Sequence, residues 1–386
     1  MAVDFDALRR EEFGALDGTI YLNSASIGPY PERTRRRLGE YDALRAAPHR
    51  MHDQDFFAEL DKARALVARL LNTTAAEVAL TFNTSYGLNL AAGGLPLERG
   101  DVIVASEREF PANVYPWLRL GARGVTLELV PVTAEGWPDE ARLLERMADP
   151  RVRVVAVSLV QFSSGYRVDL GRLSRRARET NTYLVVDAIQ GLGATPVDLR
   201  ETPVDILSCG GQKWLLSPWG SGFTVVRKEL LEVVEPPVLG WMSFEGTDDF
   251  TRLTEYDPRL RADARRFEMI TLPFQDFAGF NTSLDLLLDV GVANIVAHIA
   301  RVQAPVLDWA RRRGVRVTSP VGAHGSAIVC VAVPNPAEAY KKIRAEGVVA
   351  SVREGAIRLS PHLFNTVDEM ERVAGMLERY TQESGT

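Results

Sequence analysis

The chain has 386 residues, 46% of them hydrophobic and 25% charged, with a formal net charge of −6. That length exceeds one ordinary core and predicts two domains in a soluble globular protein. The modest negative charge, with no run of five basic residues, argues against a nucleic-acid partner, and no stretch reaches the length of a membrane span.

Met1–Leu16 mixes Asp, Glu and Arg with apolar residues and lacks the apolar core of a signal peptide, so a cytoplasmic location is expected. The basic group Arg33, Arg35, Arg36 and Arg37 reads as a solvated helix face. Apolar residues at Phe57, Leu60, Ala63, Leu66, Val67 and Leu70 keep helical spacing over Gln54–Leu71. Thr74 and Glu77 form a capping-box pattern for a short following turn. Strands are then expected at Val78–Phe82, Asp101–Ala105, Val125–Val132, Val152–Val160, Tyr183–Asp187, Asp205–Cys209 and Gly222–Val226. Helices fall between them at Ser85–Ala92, Asp139–Met147 and Asp169–Thr180.

Several of these strands are almost continuously apolar, as in Val152-Arg153-Val154-Val155-Ala156-Val157. That pattern belongs to a mostly parallel α/β sheet covered by helices on both faces. After Pro273 the texture changes to helices Phe274–Asp289 and Val292–Arg313, strands Ala327–Val333 and Ala356–Leu359, and a final helix Val367–Thr381 behind a Thr366/Glu369 capping box. The expected organisation is a large α/β domain over 20–272 and a smaller α+β domain from 1–19 and 273–386.

The chemistry concentrates around Val185-Val186-Asp187-Ala188-Ile189-Gln190 and Cys209-Gly210-Gly211-Gln212-Lys213-Trp214. Asp187 closes one apolar strand, and Lys213 follows another just after two glycines, which permit a tight backbone beside a ligand. In open α/β sheets, ligands sit at the carboxyl ends of strands. Taken singly, a strand-end Asp and a Lys on a loop are ordinary structural residues. Together they suit pyridoxal 5′-phosphate (PLP): the lysine forms the Schiff base with the aldehyde carbon. The aspartate keeps the pyridine nitrogen protonated. Asn83-Thr84-Ser85-Tyr86-Gly87, between a strand and a helix, supplies backbone amides and hydroxyls for the phosphate.

The order Asn83-Thr84-Ser85, Glu109-Phe110-Pro111-Ala112-Asn113, Gln161-Phe162-Ser163-Ser164-Gly165, Asp187-x-x-Gln190 and Gln212-Lys213 resembles the class V aminotransferases. This group of fold-type I PLP enzymes includes cysteine desulfurases, kynureninase-like enzymes and isopenicillin-N-epimerase-like proteins. The resemblance runs from Tyr21-Leu22-Asn23-Ser24-Ala25 to Arg358-Leu359-Ser360-Pro361-His362-Leu363-Phe364-Asn365-Thr366. It implies that Thr84, Ser85 and Gln212 bind the phosphate and that Phe110 stacks on the pyridine ring. Gln161 and Gln190 would lie near the ring hydroxyl, and Arg358 would grip the substrate α-carboxylate. Asn23-Ser24-Ala25-Ser26 would line the substrate entrance. Thr271 would reach the phosphate of a partner subunit, which implies a homodimer with shared sites. Plain structural alternatives stand beside these roles: a core aromatic for Phe110, an ion pair for Arg358, a turn residue for Gln190 and a helix cap for Thr271.

The departures from the family narrow the reaction. Desulfurases carry a nucleophilic Cys shortly before the arginine matching Arg358, but Val348-Val349-Ala350-Ser351-Val352-Arg353-Glu354-Gly355 contains none. Cys209 and Cys330 lie in apolar runs and read as buried free thiols, so persulfide chemistry is disfavoured. Phe110 replaces a ring-stacking His, leaving Lys213 as the proton carrier. Ile270 stands where relatives often carry Gly, and Gln212 replaces a His. No metal-ligand spacing occurs among the five histidines, and His362 reads as structural. Arg353 has a solvated-surface reading and, as an alternative, a role in receiving a second acidic group. The expected function is an aminotransferase acting on an α-amino acid, with a PLP lyase or epimerase (C–S β-elimination, kynureninase-like cleavage or Cα inversion) as the alternative. A Rossmann dehydrogenase is disfavoured because no GxGxxG opens the first strand–helix unit.

Overall fold

The computed structural model describes residues 3–384; residues 1, 2, 385 and 386, part of the expected smaller domain, lie outside the described residues. A central sheet orders seven strands as Val78–Thr81, Gly222–Val226, Ile206–Gly210, Tyr183–Asp187, Val152–Ser158, Val102–Ser106 and Thr126–Val130. Neighbours are parallel except Gly222–Val226, which is antiparallel to both strands beside it.

Alternate residues of these strands serve two different cores. Val155 and Val157 pack into one apolar cluster, whereas Val154 and Ala156 pack into the other. Leu184 and Val186 likewise oppose Val185, and Val104 opposes Ile103 and Ala105. Side chains alternate across a strand, so a strand covered on both faces must be apolar at nearly every position. This accounts for the continuous apolar runs in the sequence.

A second, antiparallel sheet orders Ser351–Arg353, Ala356–Leu359, Val329–Ala332 and Arg316–Val317. Its core is filled by Val302, Val306 and Trp309 from the helix Val292–Arg313 and by Met370, Val373 and Leu377 from Val367–Ser384. The Thr366/Glu369 box closes as expected: Glu369 N donates to Thr366 Oγ1 at 3.2 Å and Thr366 N to Glu369 Oε2 at 3.1 Å. The Thr74/Glu77 box caps the short turn Ala75–Glu77. No single helix among the described residues is long and apolar enough to cross a membrane.

Packing redraws the expected domain boundaries. The helix Phe274–Val290, assigned by its position to the smaller domain, buries Phe277, Phe280, Leu284 and Leu287 in the core beneath the large sheet. Conversely, Ile20–Tyr21 pairs in parallel with Val348–Val349, and Ile20 and Leu22 pack into the smaller core. The helices Phe5–Glu12 and Pro336–Ala345 have no counterpart in the sequence expectation, and Glu32–Arg45 was expected only as a helical face carrying the arginines. Glu32–Arg45 carries the arginine group, of which Arg35 and Arg36 are solvated. Arg33 and Arg37 are instead half-buried in ion pairs with Glu12 and Glu59.

The helix Thr84–Gly94 lies tightly against the sheet at Gly87, where a Cβ would collide with the Thr224 and Ser208 hydroxyls. Both are buried side chains with little room to retreat. Gly87→Ala is expected to destabilise the protein by about 1–3 kcal/mol, the usual range for overpacking, seen as a lower urea midpoint at unchanged slope. A midpoint equal to wild type would show that this contact is slack.

Candidate active site

The candidate cofactor residues of the large sheet gather because the strands that carry them end on one side. Thr84 follows Val78–Thr81, Phe110 follows Val102–Ser106, and Gln161 follows Val152–Ser158. Asp187 ends Tyr183–Asp187, and Lys213 follows Ile206–Gly210. None lies more than four residues beyond its strand. Parallel pairing therefore turns residues far apart in sequence into one cluster at the carboxyl edge.

Lys213 Nζ lies 5.8 Å from the centroid of the Phe110 ring. Phe110 is 43% exposed and meets Phe162 edge-on, so it is an open aromatic face rather than a core aromatic. Asp187 is 3% exposed, and among the described residues its side chain accepts one hydrogen bond, from Ile189 N at 3.0 Å. Burial raises its pKa to about 6, opposed by that bond and by Lys213. Burial lowers the Lys213 pKa to about 8, opposed by Asp187 and reinforced by Arg358 and Arg353. A carboxylate deprived of water gains from a cationic partner, and an amine with a depressed pKa is a ready nucleophile and base.

At the other end of the cluster, Asn83 caps the helix Thr84–Gly94 by accepting from Tyr86 N at 3.0 Å. The amides of Thr84 and Ser85, in its first turn, have no intrahelical acceptor. Thr84 Oγ1 accepts from Gly210 N at 2.9 Å, which ties the helix start to the Lys213 loop and leaves the hydroxyl hydrogen to donate. Ser85 is exposed, and Gln212 is partly exposed beside Lys213. A Cβ at Gly210 would lie 2.5 Å from Gln212 Oε1, so glycine is what lets this loop close up. Amides, hydroxyls and one amide side chain suit a phosphate, and Asp187 suits a protonated pyridine. The residues present fit PLP.

Arg358 is 2% exposed and has no carboxylate partner among the described residues. Its Nε donates to Ser351 Oγ at 3.1 Å, Nη1 to Phe162 O at 2.7 Å and Nη2 to Ser26 Oγ at 2.9 Å. Burial lowers its pKa to about 10, with Arg353 adding to the effect. This is not the structural ion pair that was the alternative for Arg358. Such a guanidinium is prepared for an anion.

Other expected residues are used differently. Gln190 has both ends of its amide engaged: Nε2 donates to Ala25 O at 2.9 Å, and Oε1 accepts from Trp214 Nε1 at 3.0 Å. It braces the loop beside Lys213. Gln161 Nε2 donates to Glu109 Oε1 at 2.6 Å, while its buried Oε1 has no partner. Ser24 is fully buried and cannot line an entrance; Asn23 accepts from Ser26 Oγ, and Ser26 is the residue that meets Arg358. Thr271 is exposed and caps no helix, at the end of a segment that the buried Arg64–Glu268 pair (2.6 Å) holds to the sheet. His362 is buried: Leu363 N donates to Nδ1, so Nε2 carries the proton and donates to Trp214 O at 2.9 Å. Its pKa falls to about 4 through burial, and it supports the Lys213 loop as a neutral structural residue.

Glu109 is a functional-site neighbour without an assigned role in the sequence reading, and Ser26, expected at the substrate entrance, meets Arg358. Glu109 is buried and accepts from Ser158 N at 2.9 Å, from Ser158 Oγ and from Gln161. Burial raises its pKa against those bonds. The sequence signal was an acidic residue between an apolar strand and the aromatic Phe110. Cys209 and Cys330 are free and buried, their thiol pKa values raised by burial, that of Cys330 to about 11. The hairpin before Arg358 turns at Glu354 and Gly355, with φ of +44° and +77°, the pattern of a tight two-residue turn. No group of three or more potential metal ligands occurs among the described residues.

The family model for aminotransferase class V matches residues 20–356. A probable cysteine desulfurase of Methanothermobacter thermautotrophicus is 30% identical over 293 residues, covering 75% of this chain and 72% of that protein. An uncharacterised aminotransferase of Bacillus subtilis is 28% identical over 362 residues, 94% of each chain. The apo cysteine desulfurase of Thermococcus onnurineus superposes with a TM-score of 0.88 at 22% identity, over 99% of this chain and 100% of that one, which shows a shared fold-type I architecture. The chain belongs to the class V aminotransferase family and is a PLP-dependent enzyme of that group, an aminotransferase or a related lyase.

Proposed function

We propose that the protein holds PLP through Lys213 and acts as a C–S lyase on an α-amino acid. The observation that carries this is one cluster of three charged groups, the buried Asp187 and Arg358 and the half-buried Lys213, none in an ion pair among the described residues. When bound, PLP supplies the electron sink for a carbanion at Cα. Arg358 fixes the substrate carboxylate, and Lys213, with its pKa near 8, takes the α-proton. The Cβ–S bond then breaks with loss of the thiol, and hydrolysis of the released enamine gives pyruvate and ammonia. Phe110 holds the cofactor by ring contact and carries no proton.

The relatives named cysteine desulfurases support a sulfur-bearing substrate, which moves the lyase ahead of the aminotransferase expected from sequence. The two buried thiols and the tight hairpin support release of sulfur without a protein persulfide. Transamination is the second reading, favoured by the Bacillus relative and by the same Lys213 base. Cysteine, cystine and S-alkylcysteines decide between them: pyruvate and thiol or sulfide support the lyase. Accumulation of the pyridoxamine form with a 2-oxo acid overturns it.

We also propose a homodimer with shared sites. Support comes from the exposed Thr271 and from exposed Trp241, Phe250, Leu253 and Tyr256, grouped on the segment before it. Light scattering that returns a monomeric mass removes this part.

Purified protein should be yellow, and borohydride should fix the cofactor to the Lys213 peptide; a colourless protein that takes up no PLP ends the reading. Imine formation needs the neutral amine, so PLP uptake should accelerate as pH rises toward about 8 and level off above it. A rate independent of pH between 6 and 9, the interval around the cited values for Asp187 and Lys213, would contradict the assigned nucleophile. Arg358→Gln should weaken amino-acid binding at least about 30-fold, since loss of one member of a buried charge contact costs several kcal/mol. PLP uptake should be retained, a split visible by comparing spectral titrations with PLP and with amino acid.

A further inference from the structure

We propose that Arg353 is a second anion-binding group of this site, so that the enzyme selects amino acids bearing an acidic group beyond the α-carboxylate. The inference rests on the PLP reading above and adds the class of substrate to it.

The geometry comes from one hairpin. Ser351 pairs with Arg358 and Arg353 with Ala356 across the antiparallel strands Ser351–Arg353 and Ala356–Leu359. Residues two apart share a face, so Ser351, Arg353, Ala356 and Arg358 all present side chains on the same side of the hairpin. Arg353 and Arg358 are diagonal neighbours there, roughly 7–8 Å apart at the backbone and within mutual reach of long side chains. The turn at Glu354 and Gly355 is tight, with both φ values positive, so the position of Arg353 relative to Arg358 is set by the strand register and not by a loose loop.

Two guanidinium groups on one face repel unless an anion lies between them. Among the described residues Arg353 makes no ion pair, and its Nη1 donates only to Val352 O at 2.8 Å. Arg358 is also without a carboxylate. Both arginines act electrostatically on Lys213, Arg358 more strongly, which orders the three from the reacting amine outward. The depth of the two differs in the same sense, since Arg358 is buried and Arg353 exposed. A substrate whose α-carboxylate meets Arg358 would direct its side chain past Lys213 toward Arg353. A carboxylate there would neutralise the second guanidinium, whereas an amide would leave its charge uncompensated.

The test uses the PLP-loaded protein and an isosteric pair, S-carboxymethyl-L-cysteine and S-carbamoylmethyl-L-cysteine, titrated while the cofactor spectrum is followed. L-Glutamate and L-glutamine extend the comparison to substrates without sulfur. Wild type should prefer the acid of a pair by about tenfold, the discrimination expected of one partly exposed charge-assisted contact. Arg353→Gln should bring the ratio close to one while leaving the affinity for the neutral partner unchanged, and Arg353→Lys should restore part of the preference. A wild-type ratio near one in both pairs, or a preference that survives in Arg353→Gln, overturns the inference and leaves the PLP reading intact. A protein that binds PLP yet shows no spectral response to any amino acid overturns both. Because Arg353 is solvent-exposed at a hairpin end, an unchanged spectrum of the loaded variant suffices to show that it is folded.

Discussion

The site depends on uncompensated charge held in a low-dielectric place. Removing Asp187, Lys213 and Arg358 from water is unfavourable, and among the described residues none of them has an ion-pair partner. Burial is the leading cause of all three pKa displacements: upward for the carboxylate, downward for the amine and the guanidinium. The same penalty that weakens the fold creates the chemistry. An amine that sheds its proton near neutrality becomes a nucleophile and base, and a buried guanidinium offered only neutral acceptors favours an incoming carboxylate.

Two sheets have to be held in fixed relation for those charges to meet. Asp187 and Lys213 come from the large sheet and Arg358 from the small one. The segment from Ile20 to Gly28 joins them. Ile20–Tyr21 adds to Val348–Val349, Asn23 bridges to Ser360, and Ser26 accepts from Arg358. Gly28 N then donates to Gln212 O at 2.9 Å, one residue from Lys213. A Cβ at Gly28 would strike the Lys213 carbonyl, so this close approach requires glycine. A short stretch near the N-terminus thus acts as the strap that sets the distance between base and carboxylate anchor.

Much of this was legible in the sequence, for identifiable reasons. Strands buried on both faces are apolar throughout, so Tyr183–Asp187 and Gly222–Val226 could be bounded to the residue. Asp187, Thr84 and Lys213 stood out because each is polar at the end of such a run. Glu32–Arg45 was legible as a helical face but not in its extent or packing, because its core contact rests on few apolar residues and Arg33 and Arg37 are held by distant carboxylates. Gln190 and Gln161 stand beside the site, but their amide partners could not be read from the sequence, since Ala25, Trp214 and Glu109 lie far away in it. The helix Phe274–Val290 was assigned to the wrong core because periodicity reports that a face is buried and not against what.

The hairpin between Arg353 and Arg358 shows how one local change redirects a shared scaffold. A nucleophilic thiol that carries sulfur away must travel, and travel needs a long loop. Here two strands close through Glu354 and Gly355 in the tightest kind of hairpin. Rigidity removes the carrier but places a second cation at a defined distance from the first. On the proposed reading Phe110 works in the same direction, because an aromatic face without a titratable proton would leave proton transfer to Lys213. On the proposed reading, with one base, one deep guanidinium and one at the mouth, selectivity would rest on the charge pattern of the substrate. The residues that set that pattern lie on a strand pair whose register fixes their spacing.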